Sequence, residues 1–201
     1  VVLDCGNAVP GPLAVKVLER LGVDVIPLHC DWDNSFPNHP PDPTRQENME
    51  DLGRAVLEHG AEFGIGMDGD GDRLGVVDEN GSFIRPDRLM GIFVKEVLSD
   101  LPDTATEEQR TIFFDVKCSM ALEEAIEELG GVPKMVRTGH TFMKKELRKF
   151  PSSPMAGEMS GHFFMNDHWG GFDDSIYCAA RLLSIISKDS PPEQGGPKFS
   201  E

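Results

Sequence analysis

Three aspartates alternate with glycines in Asp68-Gly69-Asp70-Gly71-Asp72, and Arg73 follows directly. Three carboxylates this close repel one another unless a cation sits among them. The glycines let the backbone curl so that all three can face one point. A hard, oxygen-preferring ion, Mg²⁺ before Ca²⁺, is the natural occupant. Arg73 adds a planar cation suited to phosphate or carboxylate. The flanks Phe63–Met67 and Leu74–Val77 are apolar, so the run reads as strand, tight loop, strand.

Other readings of the same run compete. Asp and Gly are ordinary turn residues, and a solvated acidic turn needs nothing more. An EF-hand register puts acids at positions one, three and five and Glu79 at twelve. It also puts Arg73 at position six, where the sharp turn requires Gly. A phosphatase-type loop, with Asp68 attacking phosphorus and Asp70 as acid/base, expects Thr or Val where Asp72 stands. A third carboxylate there favours metal binding.

A second cluster is Gly157-Glu158-Met159-Ser160-Gly161-His162. Read as an extended segment, it places Glu158 and Ser160 on one side. A carboxylate and a hydroxyl together suit adjacent sugar hydroxyls, and His162 can move a proton near neutral pH. The alternative is a surface turn with a stray histidine. In Arg137-Thr138-Gly139-His140, an apolar strand enters a helix carrying Lys144 and Lys145. Thr138 and the free N–H groups at Gly139 and His140 suit an oxyanion; a solvent-facing helix start is the plain alternative for His140. Lys117, in Asp115-Val116-Lys117-Cys118, reads by itself as a loop-facing charge. Phe36-Pro37-Asn38-His39 with Pro40-Pro41-Asp42-Pro43 reads as a rigid structural loop.

These loops need elements to hold them, and the chain supplies two α/β patterns. Val1–Asp4 is a strand. A helix follows with Leu13, Val17, Leu18 and Leu21 at helical spacing and Gly22 as its stop. Val23–Leu28 is a second strand. Thr44 with Glu47 makes a capping box for a helix ending near His59, closed by Gly60. After the aspartate loop come a hairpin signal at Asn80-Gly81 and a helix over Pro86–Leu98. The polar stretch Ser99–Arg110 marks a domain boundary, and the pattern restarts. Thr111–Val116 is a strand, Met120–Leu129 a helix, Val132–Val136 a strand and His140–Phe150 a helix. Two short strands flank 157–164, and a last helix runs from Phe172 to Ser187. The expected class is α/β: two consecutive domains, each a mixed sheet with helices packed on it. They span 1–102 (metal-binding) and 103–188 (sugar-binding), followed by a mobile tail over 189–201.

The 201 residues carry a formal charge of −16, which disfavours broad nucleic-acid or anionic-membrane binding. There is no membrane-length apolar run or signal peptide, and the expected location is cytoplasmic. The four cysteines are scattered without CxxC spacing and read as reduced thiols. The chain opens without Met inside a strand, so sequence is expected to precede it.

Taken together, Asp4-Cys5-Gly6-Asn7, the Phe36–Thr44 stretch, the aspartate loop, Asp115–Cys118, Arg137–His140 and Gly157–His162 resemble the α-D-phosphohexomutase family. The match is to its phosphomannomutase/phosphoglucomutase branch, second and third domains only, over residues 1 to about 188. The resemblance implies interconversion of hexose 1-phosphate and hexose 6-phosphate, of glucose or mannose, through an enzyme phosphoserine and a bisphosphorylated sugar. It implies Mg²⁺ on Asp68, Asp70 and Asp72, with Arg73 toward the transferring phosphate or the sugar. Glu158 and Ser160 would grip hydroxyls common to the sugar's two orientations. Lys117, His140 and His162 would line the cleft, His162 and Lys117 as candidates to assist proton transfer. No Thr-x-Ser-His-Asn serine loop and no Arg-x-Ser-x-Thr-Glu-Pro phosphate loop occurs in these residues. The implied partners are therefore a hexose phosphate and the family's first and fourth domains, in cis or in trans, with the chain alone inactive. The alternatives are a non-catalytic module binding metal and sugar phosphate, or a metal-dependent phosphohydrolase.

Overall fold

The computed structural model describes residues 1–189. The mobile tail expected over 189–201 lies outside the described residues, apart from Asp189 at the end of the last helix. The chain divides into two compact units. One is Val1–Ile84 together with the stretch from Ser175; the other is Arg85–Asp174.

The first unit contains β1 (Val2–Asp4), α1 (Gly11–Arg20), β2 (Ile26–Leu28), α2 (Glu50–His59), β3 (Gly64–Met67), β4 (Leu74–Val77) and β5 (Phe83–Ile84). The C-terminal helix, Ser175–Asp189, packs on α1 and β4 of this unit. The sheet order is β2-β1-β3-β4-β5. β1 pairs parallel with β2 and β3, and the hairpin strands β4 and β5 are antiparallel. β1, β3 and β4 are buried throughout, as their unbroken apolar runs require. Val2, Val77, Met49, Leu52 and Val56 form one core cluster beneath α2.

Two local expectations fail here for physical reasons. Leu13 and Leu21 do not face the core; α1 instead buries Gly11, Ala14 and Leu18. The helix sits so close to the β2 end that a Cβ on Gly11 would lie 2.2 Å from the Cys30 carbonyl oxygen. Gly11 and Ala14 therefore take the inward face beside Cys30, with Leu18 buried a turn further on, while Leu13 and Leu21 point out. The Thr44–Glu47 capping box does not form either. The Thr44 hydroxyl donates to Asp42 Oδ1 at 2.7 Å, and Glu47 pairs with Arg45. A 3₁₀ turn over Gln46–Met49 then leads into α2, which Gly60 ends at φ +61°.

The second unit contains α3 (Pro86–Ser99), β6 (Thr111–Asp115), α4 (Met120–Glu128), β7 (Val132–Val136), α5 (His140–Lys149), β8 (Met155–Gly157) and β9 (Phe163–Met165). Its sheet runs β7-β6-β8-β9, with β7, β6 and β8 parallel and β9 antiparallel. Numbered in chain order as α6, the Ser175–Asp189 helix lies outside this unit. The first four strands of each unit thus share one order, two parallel crossovers followed by a hairpin. Phe113, Met143, Leu147, Ala156 and Phe164 form a core cluster.

Two helices fall on other sides of the division expected at 102/103. α3 packs against α4 and β8 of the second unit, and Asp87 on α3 accepts the Ser119 N–H at the start of α4. α6 packs in the first unit. The polar stretch 99–110 is a surface loop inside the second unit, where composition alone suggested a linker.

Candidate functional site

In the first unit the aspartate run joins β3 to β4, just past the C-terminal end of a parallel strand, where open α/β sheets place ligands. Asp68 turns inward and is 1% exposed. Its Oδ1 accepts the N–H groups of Gly71, Asp72 and Arg73 at 3.0–3.1 Å, so the carboxylate organises its own loop. Its Oδ2 accepts Arg73 Nε at 2.6 Å. Four donors on a buried carboxylate disfavour a nucleophilic role for Asp68. Asp70 is exposed and Asp72 half-buried. One oxygen from each of Asp68, Asp70 and Asp72 lies within 4.8 Å of the others. An all-carboxylate set with no nitrogen or sulfur donor fits a hard ion such as Mg²⁺.

Arg73 is fixed from two sides. Its Nη1 donates to Asp42 Oδ1 at 3.2 Å. Burial alone would lower its pKa; the hydrogen bond to Asp68 and the charges of Asp68, Asp42 and Asp72 outweigh burial and raise it. The proline-rich loop taken as purely structural thus supplies Asp42 to orient Arg73. The far end of the loop's other anchor comes from α6. Ser175 donates both its N–H, at 3.0 Å, and its hydroxyl, at 2.7 Å, to the Gly71 carbonyl. Neither contact was legible from residue spacing.

In the second unit, Gly157–His162 joins β8 to β9 and occupies the place in its sheet that the aspartate loop occupies in the first. It is a tight turn, not the extended segment expected from sequence. Glu158 N–H donates to the His162 carbonyl, Gly161 N–H to the Glu158 carbonyl, and Gly161 takes φ +84°. The turn sends Glu158 inward, 1% exposed. Its Oε1 accepts the Gly139 N–H, and its Oε2 lies 3.4 Å from His162 Nδ1. Burial pushes the Glu158 carboxyl above its usual range, against the lowering effect of the Gly139 N–H. Ser160 Oγ lies 2.8 Å from His162 Nδ1. The His162 and His140 rings stack at 6.0 Å, and Lys144 Nζ reaches His140 Nδ1 at 3.4 Å. Glu158, Ser160, His162, His140 and Gly139 therefore come together. Lys117 does not join them by any contact in the second unit; it is exposed in the turn after β6.

Thr138 is present but engaged. Its hydroxyl donates to Asp115 Oδ2 at 2.7 Å, and the Gly139 N–H is held by Glu158. Both donors expected to meet an oxyanion instead tie loops together. Asp115, the acceptor of the Thr138 hydroxyl, was missed. It ends β6, is fully buried, and its Oδ1 accepts Met159 N–H at 3.0 Å and Cys118 Sγ at 3.1 Å. Burial and the Asp115 carboxylate push the Cys118 thiol well above its ordinary range. One carboxylate thus fastens the turns after β6, β7 and β8. An aspartate ending an apolar strand is the only sequence signal for it.

A family model described as phosphoglucomutase/phosphomannomutase, alpha/beta/alpha domain II, matches residues 1–81, and the corresponding domain III model matches 85–195. The chain belongs to the phosphoglucomutase/phosphomannomutase family. The change of family model after residue 81 falls close to the unit division at Ile84–Arg85. A phosphomannomutase/phosphoglucomutase of Pseudomonas putida is 50% identical over 94% of this chain and 39% of the relative. A phosphoglucomutase of Neisseria meningitidis is 43% identical over 96% of this chain and 41% of the relative. The crystal structure of a phosphoglucomutase/phosphomannomutase family protein from Burkholderia thailandensis superposes with a TM-score of 0.86. That match has 46% identity over 93% of this chain and 39% of that one. The chain thus spans about two-fifths of the length of these relatives. No helix among the described residues is long and apolar enough to cross a membrane.

Proposed function

We propose that this chain supplies the metal-binding and sugar-binding parts of a phosphohexomutase that interconverts hexose 1-phosphate and hexose 6-phosphate. The serine-loop and phosphate-loop domains of that enzyme lie outside these residues. The observation that carries the reading is the pair of hairpin loops at matching places in two like-ordered sheets. One presents three carboxylates and an arginine; the other presents a carboxylate, a hydroxyl and a histidine. The names of the relatives support the same reaction.

In this reading Asp68, Asp70 and Asp72 hold Mg²⁺, which when bound neutralises phosphoryl charge and positions the phosphate. Arg73, with Nε on Asp68 and Nη1 on Asp42, presents the rest of its fork to a phosphate oxygen without having to be ordered first. Glu158 and Ser160 accept and donate hydrogen bonds at sugar hydroxyls that are the same in both orientations of the ring. Glu158 is pre-aimed by the Gly139 N–H, and burial strengthens its grip on a hydroxyl. His162 Nδ1 lies beside Ser160 Oγ and Glu158 Oε2 and so can accept a proton and pass it on. His140 and Thr138 shape this loop cluster, and Lys117 supplies an exposed cation after β6.

The test is a coupled assay with glucose 1-phosphate, Mg²⁺ and a trace of the 1,6-bisphosphate. The chain alone is expected to give no turnover, and adding a polypeptide bearing the serine and phosphate loops restores it. In the restored system, Asp70→Asn and Glu158→Gln should each lower kcat/KM by at least about tenfold, the loss of roughly 1.4 kcal/mol of transition-state stabilisation. Robust turnover by the chain alone overturns the division of labour. Restored activity indifferent to both substitutions overturns the residue assignments.

A further inference from the structure

A second cluster of metal-ligating side chains lies in the first unit and shares no donor with the aspartate loop. Asp4 ends β1, His29 follows β2, and His39 comes from the proline-rich loop. One donor atom from each lies within 4.8 Å of the others. Asp4 is 2% exposed. We propose that Asp4, His29 and His39 form a second metal site, for a late first-row transition ion such as Zn²⁺.

The donor chemistry separates this site from the first. Two imidazole nitrogens and one carboxylate oxygen suit Zn²⁺ and its neighbours, whereas Mg²⁺ prefers oxygen alone. The ligands are also oriented from behind, as metal ligands usually are. His39 Nδ1 lies 2.9 Å from the Pro40 carbonyl, which fixes a proton there and turns Nε2 toward Asp4 Oδ2 at 3.0 Å. Asp4 Oδ1 accepts the Gly6 N–H at 2.9 Å, which leaves Oδ2 as the outward oxygen.

His29 provides the sharpest indication. Its Nε2 is buried and has no hydrogen-bond partner among the described residues. Its nearest carboxylate oxygen, Asp51 Oδ2, is 3.7 Å away, too far for a hydrogen bond. A buried polar nitrogen needs a partner, and a bound ion can supply it here as an ordered water can elsewhere. The residue also holds φ +48°, a left-handed conformation that is uncommon outside glycine, though less so for His, Asn and Asp. The His29 and His39 rings meet edge to face at 5.5 Å. A tetrahedral ion about 2.1 Å from each donor sets the donors about 3.4 Å apart. His39 Nε2 and Asp4 Oδ2, 3.0 Å apart, are close to that spacing, and a His29 donor lies within 4.8 Å of both. A cleft of about 260 Å³ lined by Asn7, Pro27, His29, Cys30 and Asp31 borders the site on its His29 side.

The experiment strips the full chain with EDTA and then adds Zn²⁺ in a large excess of Mg²⁺, which occupies the oxygen-only loop. Bound zinc is counted by elemental analysis after desalting. One equivalent is expected in the parent chain and in Asp70→Asn. His29→Gln, which removes a nitrogen that makes no hydrogen bond, should weaken binding at least tenfold. X-ray absorption at the bound zinc should count two imidazoles in the parent chain, a readout that does not depend on any variant folding. No retained zinc, undiminished binding by His29→Gln, or fewer than two imidazoles overturns the proposal.

Discussion

Asp70→Asn should move stability in opposite directions with and without magnesium. Asp70 is the exposed member of the triad and makes no hydrogen bond among the described residues that the loop needs. Asp68, by contrast, holds three backbone N–H groups. Without metal, its charge mainly repels Asp68 and Asp72, each presenting an oxygen within 4.8 Å. At that distance each pair costs about 0.9 kcal/mol in a water-like dielectric, less in salt. Asn is nearly isosteric, so the substitution should stabilise the metal-free chain by about 1 kcal/mol, or about 2–4 °C in Tm for a protein of this size. With Mg²⁺ at one hundred times its Kd, the parent chain gains about 2.7 kcal/mol by mass action, and the variant loses most of that gain. The two chains should exchange rank between EDTA and Mg²⁺ in thermal melts followed by circular dichroism. A variant less stable in EDTA, or one that gains as much from Mg²⁺ as the parent, refutes the argument that these carboxylates are held for a cation.

Further outcomes follow from single contacts. Asp115→Asn places an amide donor against one of the three donors converging on Asp115. It should cost about 2–4 kcal/mol in urea unfolding, with hydrogen exchange rising together in the turns after β6, β7 and β8. In EDTA-stripped protein, the Asp4 hydrogen bond raises His39 to about 9 against the partial opposition of burial. The folded pKa lies above the unfolded value, so this contribution is complete below about pH 6.5 and disappears as pH rises through about 9. Urea titrations from pH 6 to pH 10 should show that decline, and His39→Gln should flatten it. Gly91→Ala, in a helix with nothing within 4 Å of the new methyl group, should stabilise by about 0.5–1 kcal/mol. Gly11→Ala, aimed at the Cys30 carbonyl, should cost several times more in the same melts.

The alternation of strand and helix was legible because apolar runs and glycine stops act locally. Gly60 ends α2 and Asn80-Gly81 turns β4 into β5 without help from distant residues. The aspartate loop was legible for the same reason: its three carboxylates are near neighbours in sequence. What escaped the sequence was decided by competition or by distance. Thr44 donates its hydroxyl to Asp42 instead of accepting an N–H of the helix it was expected to cap. The inward face of α1 was set by the approach of Cys30, which favours Gly11 over Leu13. Asp115 gathers donors from residues 118, 138 and 159, and no window along the chain contains them all. The polar stretch 99–110 looked like a linker because exposure, not separation, governs composition there.

The first unit is completed by α6, which the chain reaches only after the whole of Arg85–Asp174. On a ribosome adding about 5–20 residues per second, roughly ninety residues separate the last strand of that unit from its closing helix, a wait of about 5–18 s. Through that interval the Gly71 carbonyl lacks the two Ser175 donors that later hold it. The nascent sheet meanwhile exposes the face that α6 will cover. The second unit has no such dependence, since all its strands and helices are contiguous. The later-made half is therefore the one able to finish first, and the aspartate loop takes its final form only as the helix beginning at Ser175 arrives.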